Sequence, residues 1–159
     1  MNKKLKVGWF SFTCSEDSTI LFVELMNEKF FEWKNLLEFK HFRTIKKIGE
    51  LNDIDVAFVE GAISSYEDEE RLKEIRRNSK KLVAIGSCAV TGMPSAQRNF
   101  FDEERKAEIA PILERFKHRE KVVPLKEIVQ VDDEVPGCAM NEERFLEVLN
   151  KYLKEFGVV

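Results

Sequence analysis

The sequence lacks a close cysteine pair. Its three cysteines, Cys14, Cys88 and Cys138, stand far apart, and none forms the C-x₂-C spacing common in structural zinc sites. Histidine is scarce too, with only His41 and His118 in the chain, so a four-ligand zinc site is short of its ordinary donors. His41 falls within a strand-like run and His118 at a helix end beside Lys117 and Arg119, where both read as ordinary residues. Long apolar runs are also missing. None approaches the roughly 20 residues needed to cross a bilayer, so the chain is not expected to be integral to a membrane. Nor is there an excess of positive charge: 26 Lys and Arg stand against 29 Asp and Glu, a net charge of −3. That balance argues against nucleic acid or an anionic membrane surface as partner. Internal repeats and low-complexity segments are absent as well.

The opening "MNKKLKVGWFSFTC" has a basic head, but it runs into "SED" with no small-residue cleavage site, so it reads as a first strand rather than a signal peptide. A cytoplasmic chain is the expectation. An odd number of cysteines in such a chain makes a disulfide framework unsuitable and leaves core packing, redox chemistry or metal binding.

What is present suits one cored domain, residues 1–159, at 43% hydrophobic content. Strand-like runs occur at 5–12, 37–42, 55–60 and 81–87, and more weakly at "KVVPL" (121–125) and "IVQV" (128–131). Helical patterns fill the gaps at about 18–34, 67–79, 102–117 and 141–156. In the last of these Phe145, Val148, Leu149, Tyr152, Leu153 and Phe156 form one apolar stripe. The first is apolar on nearly every side, which implies burial all round or a partner. Strands alternating with helices predict an α/β fold: a flavodoxin-like open parallel sheet with helices on both faces. The one long irregular stretch is "CAVTGMPSAQRNFF" (88–101), a length that usually carries function.

Each cysteine follows a strand-like run. In an open parallel sheet all carboxyl ends share one edge, the edge where ligands bind, so the three thiols are expected to meet there. Iron–sulfur clusters accept such widely spaced thiolates, because separate loops reach the corners of a bulky cube. Gly86 and Gly137, just ahead of Cys88 and Cys138, let backbone approach closely and turn N–H groups toward sulfur. Phe10, Phe12, Phe100 and Phe101 supply either a dry surround or ordinary core.

These residues resemble a known family. "AIGSCAVTGMP" and "VPGCAM", with "FTCSED" after the first strand and "FVEGAI" after the third, are similar to the small subunit of NiFe hydrogenases and the complex I subunit that carries the cluster nearest quinone. The likeness runs from Leu5 to about Met140 and is greatest to the compact cytoplasmic type of sulfhydrogenases, which lacks the cysteine-rich extension and twin-arginine signal of the periplasmic type. It implies an electron-transfer subunit, non-catalytic alone, holding one proximal 4Fe-4S cluster beside a NiFe-hydrogenase-like large subunit, with further electron-transfer subunits in the complex.

Cys88 and Cys138 match two of the family's four ligands, and Cys14 matches a third. The fourth thiolate is missing. In the C-x-x-C frame its place falls to Asp17; in the tandem-cysteine frame it falls to Ser15. The first frame is favoured, since a carboxylate ligates iron without the difficult deprotonation a serine needs. A 3Fe-4S cluster, or none, are the other outcomes. The resemblance also sets Glu60 beside the cluster, on a proton route or as a plain strand-end acid. Glu16 is expected to face the large subunit, with Pro94 and Arg98 in contact with it, while Asp17 or Ser18 gives an N-cap signal. The rival readings are a receiver-like domain, with Glu16, Asp17, Glu60, Ser87 and Lys126 as its acidic pocket, and a cluster-less interaction domain on the same frame.

Overall fold

The structure, a computed structural model, describes residues 3–49 and 51–159. Five strands build a parallel sheet: β1 (Leu5–Ser11), β2 (Leu37–Phe42), β3 (Ile54–Glu60), β5 (Ser79–Ile85) and β7 (Asp133–Val135), in the order β2-β1-β3-β5-β7. β1 sits between β2 and β3, so the chain leaves β1 in one direction and later resumes on its other side. That reversal opens a crevice at the strands' carboxyl ends. All seven residues of β3 are buried, as expected of a central strand covered on both faces. The flavodoxin-like expectation is met.

Alternation along the strands splits the core in two. One face carries Trp9, Val56 and Phe58 against α1 (Asp17–Glu28), α2 (Phe30–Leu36) and α6 (Glu142–Glu155). The other carries Phe10, Ala57 and Val59 against α3 (Tyr66–Arg77) and α4 (Gly86–Thr91). Aromatic rings fill the first face. Trp9 stacks flat on Phe22 at 4.2 Å, and Phe145 meets Phe22, Phe58 and Trp9 edge-on at 5.4, 5.5 and 6.0 Å.

Several boundaries differ from the sequence expectation. The first helix is two: α1 ends at Glu28 and α2 starts at Phe30, turning Trp33 inward while Phe31 stays 78% exposed. "IVQV" forms no strand. The last strand of the sheet is β7, where Asp132 tethers the chain by accepting from the Leu82 N–H at 2.8 Å. "KVVPL" contributes to β6 (His118–Val123), which lies outside the parallel sheet and pairs antiparallel with the short β4 (Ile63–Ser65). The stretch 88–101 is largely helical, divided between α4 and a 3₁₀ segment, Ser95–Phe100. α5 (Glu103–Arg115) follows, with no buried residue.

Phe145→Ala should cost about 3–5 kcal/mol of folding stability by emptying the aromatic junction. Urea unfolding checks this: a lower midpoint with an unchanged slope is expected, and an unmoved midpoint would show that the junction carries little of the core.

Candidate functional site

At the carboxyl edge of the sheet the loop after β1 bears Cys14, α4 bears Cys88, and the turn after β7 bears Cys138. A narrow cleft is lined by all three cysteines together with Ser15, Asp17, Glu60, Gly86 and Gly137, and by Ile85 and Ser87. The chain thus brings together the prospective ligands Cys14, Asp17, Cys88 and Cys138 with Ser15, Glu60, Gly86 and Gly137. Cys88 is buried, Cys14 half-buried and Cys138 exposed, and all three are free thiols.

Cross-ties hold the loops around the cleft. Ser87 N–H donates to Gly137 O at 2.8 Å, joining the Cys88 and Cys138 segments. Met140 N–H donates to Ser18 Oγ at 3.0 Å, joining the Cys138 turn to α1. Thr13 and Ala62 exchange two backbone bonds, 3.1 and 2.9 Å, which fasten the Cys14 loop to the chain just ahead of β4. Gly137 has φ +115, and a Cβ there would lie 2.5 Å from Ala139 O. Only glycine fits that turn. At Gly86 (φ +81) a Cβ would come within 3.1 Å of Ser18 Oγ and 3.4 Å of Gly137 O.

Electrostatically the cleft is an acidic pocket of thiols. Burial, then the Glu60 carboxylate, push Cys14 up to about 12, with Glu16 and Cys88 adding to the effect and a backbone bond from Glu16 opposing it. Cys138 donates to Asp17 Oδ2 at 3.0 Å. That bond, then the charge of Asp17, raise its affinity for its proton, with smaller contributions from burial, Cys88 and Glu60. Cys88 acts on both other thiols, which is the electrostatic mark of their convergence. Thiols so disposed give up their protons to a cation rather than to water. Among the described residues, however, no group of three or more His, Cys, Asp and Glu side chains is arranged to hold a single metal ion. The sulfurs and the Asp17 carboxylate ring a shared space without closing on one point. This donor set suits a polynuclear group that takes one ligand per corner better than a mononuclear ion.

Glu60 has a role the sequence reading did not supply. It is 2% exposed and accepts from Ser18 N–H and Thr19 N–H, each at 3.1 Å, and from Thr19 Oγ1 at 2.6 Å. Its carboxylate therefore caps α1 from another strand, where negative charge meets the helix's free N–H groups. The residue in the N-cap position is Glu16, in left-handed backbone (φ 59) with no side-chain cap of its own. Asp17 and Ser18 lie inside the helix; Asp17 Oδ1 accepts from the Ser18 N–H at 2.8 Å, and Glu60 shares that N–H and takes the next one. Thr19 Oγ1 also receives Trp9 Nε1–H at 2.8 Å, which links the cap to the aromatic core.

Other residues named from the sequence lie outside the cleft. Arg98 does not face outward: its Nη2 donates to Ser64 O at 3.0 Å and Arg119 O at 2.7 Å. Pro94 is exposed. Phe100, 77% exposed, offers no dry surround, and Phe10 lies in the core stacked on His41 at 4.8 Å. His118 starts a strand, its Nδ1 3.0 Å from Ser64 O. Lys126 pairs with Glu134 at 3.5 Å rather than with the acids of a receiver-like pocket. A separate, roomier cleft of about 640 Å³ lies beyond the Cys14 loop, with Glu16 on its wall and no cysteine.

The family model described as NADH ubiquinone oxidoreductase, 20 Kd subunit, matches residues 14–152. The chain belongs to this family. Sulfhydrogenase 2 subunit delta of Pyrococcus furiosus is 32% identical over 152 residues, covering 91% of this chain and 60% of that protein. A subunit of the F420-non-reducing hydrogenase of Methanothermobacter marburgensis is 34% identical over 122 residues, 68% of this chain and 40% of that protein. The chain thus spans less than two thirds of either relative's length. A chain of the NAD+-reducing [NiFe]-hydrogenase in the H2-reduced state superposes with a TM-score of 0.79 at 25% identity, over 96% of this chain and 93% of that one. The family likeness drawn from the cysteine motifs is met. Among the described residues no helix is long and apolar enough to cross a membrane.

Burial raises the proton affinity of Glu60 above the ordinary carboxylate value of 4.5, the nearby Asp17 charge adds to this, and its hydrogen bonds work against it. From about pH 4.5 upward the unfolded chain releases a proton that the folded chain keeps, so this residue's contribution to stability falls as pH rises through the window. Glu60→Gln should remove that part of the slope in urea midpoints measured across pH. Parallel curves for the two proteins would contradict it.

Proposed function

We propose that the chain is the electron-transfer subunit of a hydrogenase-like or complex I-like oxidoreductase and holds one iron–sulfur cluster at the cysteine cleft. The observation that carries the reading is the gathering of Cys14, Cys88, Cys138 and Asp17 around one cleft from three separate segments of chain. The names of the relatives, each a hydrogenase subunit, support it. Cys14, Cys88 and Cys138 would each ligate one iron of a 4Fe-4S cluster and Asp17 the fourth, with Ser15 the alternative donor and a 3Fe-4S form the result if neither binds. A bound cluster would supply one-electron transfer.

The protein's part is geometry and electrostatics. Gly86 and Gly137 allow the backbone to close in, the Ser87–Gly137 bond fixes two ligand-bearing segments against each other, and Glu60 seats the helix that starts at Asp17. Nothing in the cleft pairs a nucleophile with a neutral base, so the chain alone is read as non-catalytic. Cys138, Ser15 and Glu16 are exposed at the rim. A large-subunit partner covering that rim would exclude water from the cluster, and the other subunits of such a complex would pass electrons onward. A cytoplasmic setting accords with three unpaired thiols.

Anaerobic purification with iron and acid-labile sulfide analysis tests the ligands. Cys88→Ala and Cys138→Ala should each abolish cluster assembly, and full iron and sulfide content in either variant would remove that residue from the set. Asp17→Cys should retain about four irons per chain and Asp17→Ala about three. Four irons in Asp17→Ala would transfer the fourth corner to another donor.

A further inference from the structure

Ser95 lies in the stretch 88–101 but is not itself singled out there, yet its hydroxyl stands 3.2 Å from Cys88 Sγ and 3.0 Å from Thr13 O. It is held there by the 3₁₀ segment it begins. Arg98 is bonded to Ser64 O and Arg119 O. Asn99 forms a two-way pair with Val122, Nδ2 to O at 2.7 Å and N–H to Oδ1 at 2.8 Å. These bonds lock the segment onto the β4–β6 ribbon and fix where the hydroxyl points. Cys88, 7% exposed, packs with Ala62, Ala96 and Val122 in an apolar pocket. Hydrogen bonds count for more in such surroundings than in water.

One hydroxyl has one proton and here two acceptors. While Cys88 is a thiol, its S–H can donate to Ser95 Oγ and leave the serine proton for Thr13 O. A sulfur bound to iron has no proton and carries negative charge. The serine proton then belongs on sulfur, because a hydrogen bond to a charged acceptor is the stronger one. Thr13 O is not orphaned by the exchange, since it still accepts Ala62 N–H at 2.9 Å.

We propose that Ser95 is a positioning and potential-setting residue: its hydroxyl donates to the Cys88 sulfur when that sulfur is an iron ligand and raises the midpoint potential of the site. This rests on the cluster reading above. Reduction by one electron from an external one-electron donor adds negative charge to the sulfurs, no proton is transferred, and a donor aimed at one sulfur favours the reduced form.

The test is a redox titration of the anaerobically purified full chain, followed by electron paramagnetic resonance, for wild type, Ser95→Ala and Ser95→Thr, with iron and sulfide measured on each. The midpoint of Ser95→Ala should move to more negative potential, and Ser95→Thr, which keeps a hydroxyl, should return toward wild type. A Ser95→Ala midpoint equal to wild type overturns the proposal. It does so even where that variant loads less iron, because the midpoint of the remaining clusters does not depend on occupancy; Ser95 would then be a brace only. Wild-type protein without iron, sulfide or signal overturns the cluster reading itself, and that outcome is visible before any variant is made.

Discussion

Parallel strand direction is the constraint on which the site depends. Because β1, β3, β5 and β7 all run the same way, every exit from the sheet opens on one edge, and residues far apart in sequence arrive there together. The hydrogen bond between Asp17 and Cys138 spans 121 positions of chain. No local motif could bring these groups within reach. The fold does so because the cores on the two faces bury the central strand β3 completely, which leaves little freedom for register to slip.

A second layer of bonds turns proximity into a defined cavity. Glu60 leaves the central strand to cap α1, Gly137 closes on Ser87, Ser18 takes the Met140 N–H, and Ser95 bridges the Cys14 loop and Cys88. All but the first of these ties join two of the segments that carry a prospective ligand. A buried carboxylate beside thiols is costly without partners. Here the free N–H groups of α1 offset part of that cost, and the acid acts as a structural anchor for the helix that begins at Asp17. Burial at Cys14, the Asp17 hydrogen bond at Cys138 and the negative charge around both keep these two thiols protonated.

Much of this was legible in the sequence, for identifiable reasons. Continuous apolar runs such as Val56–Val59 mark strands buried on both faces, and the three- and four-residue stripe from Phe145 to Leu153 marks α6. The cysteines and their glycines were readable because strand exits share an edge in this fold class. The parts that escaped depend on long-range partners. β7 is too short and too acidic, "DEV", to read as a strand, and only its place beside β5 makes it one. The β4–β6 ribbon needs pairing between segments more than 50 positions apart. Arg98 looks like a surface arginine until the carbonyls of Ser64 and Arg119 appear beside it, and Ser95 carries no signal at all until its distance to Cys88 is known.

The central claim is that these distant side chains grip one inorganic iron–sulfur core. Iron and acid-labile sulfide per chain, measured on anaerobically purified wild-type protein together with the electron paramagnetic resonance spectrum after reduction, test it most directly. The account predicts about four irons and four sulfides, and a signal that appears on one-electron reduction. Protein that is free of both elements after anaerobic reconstitution, with three freely alkylated thiols, would contradict it.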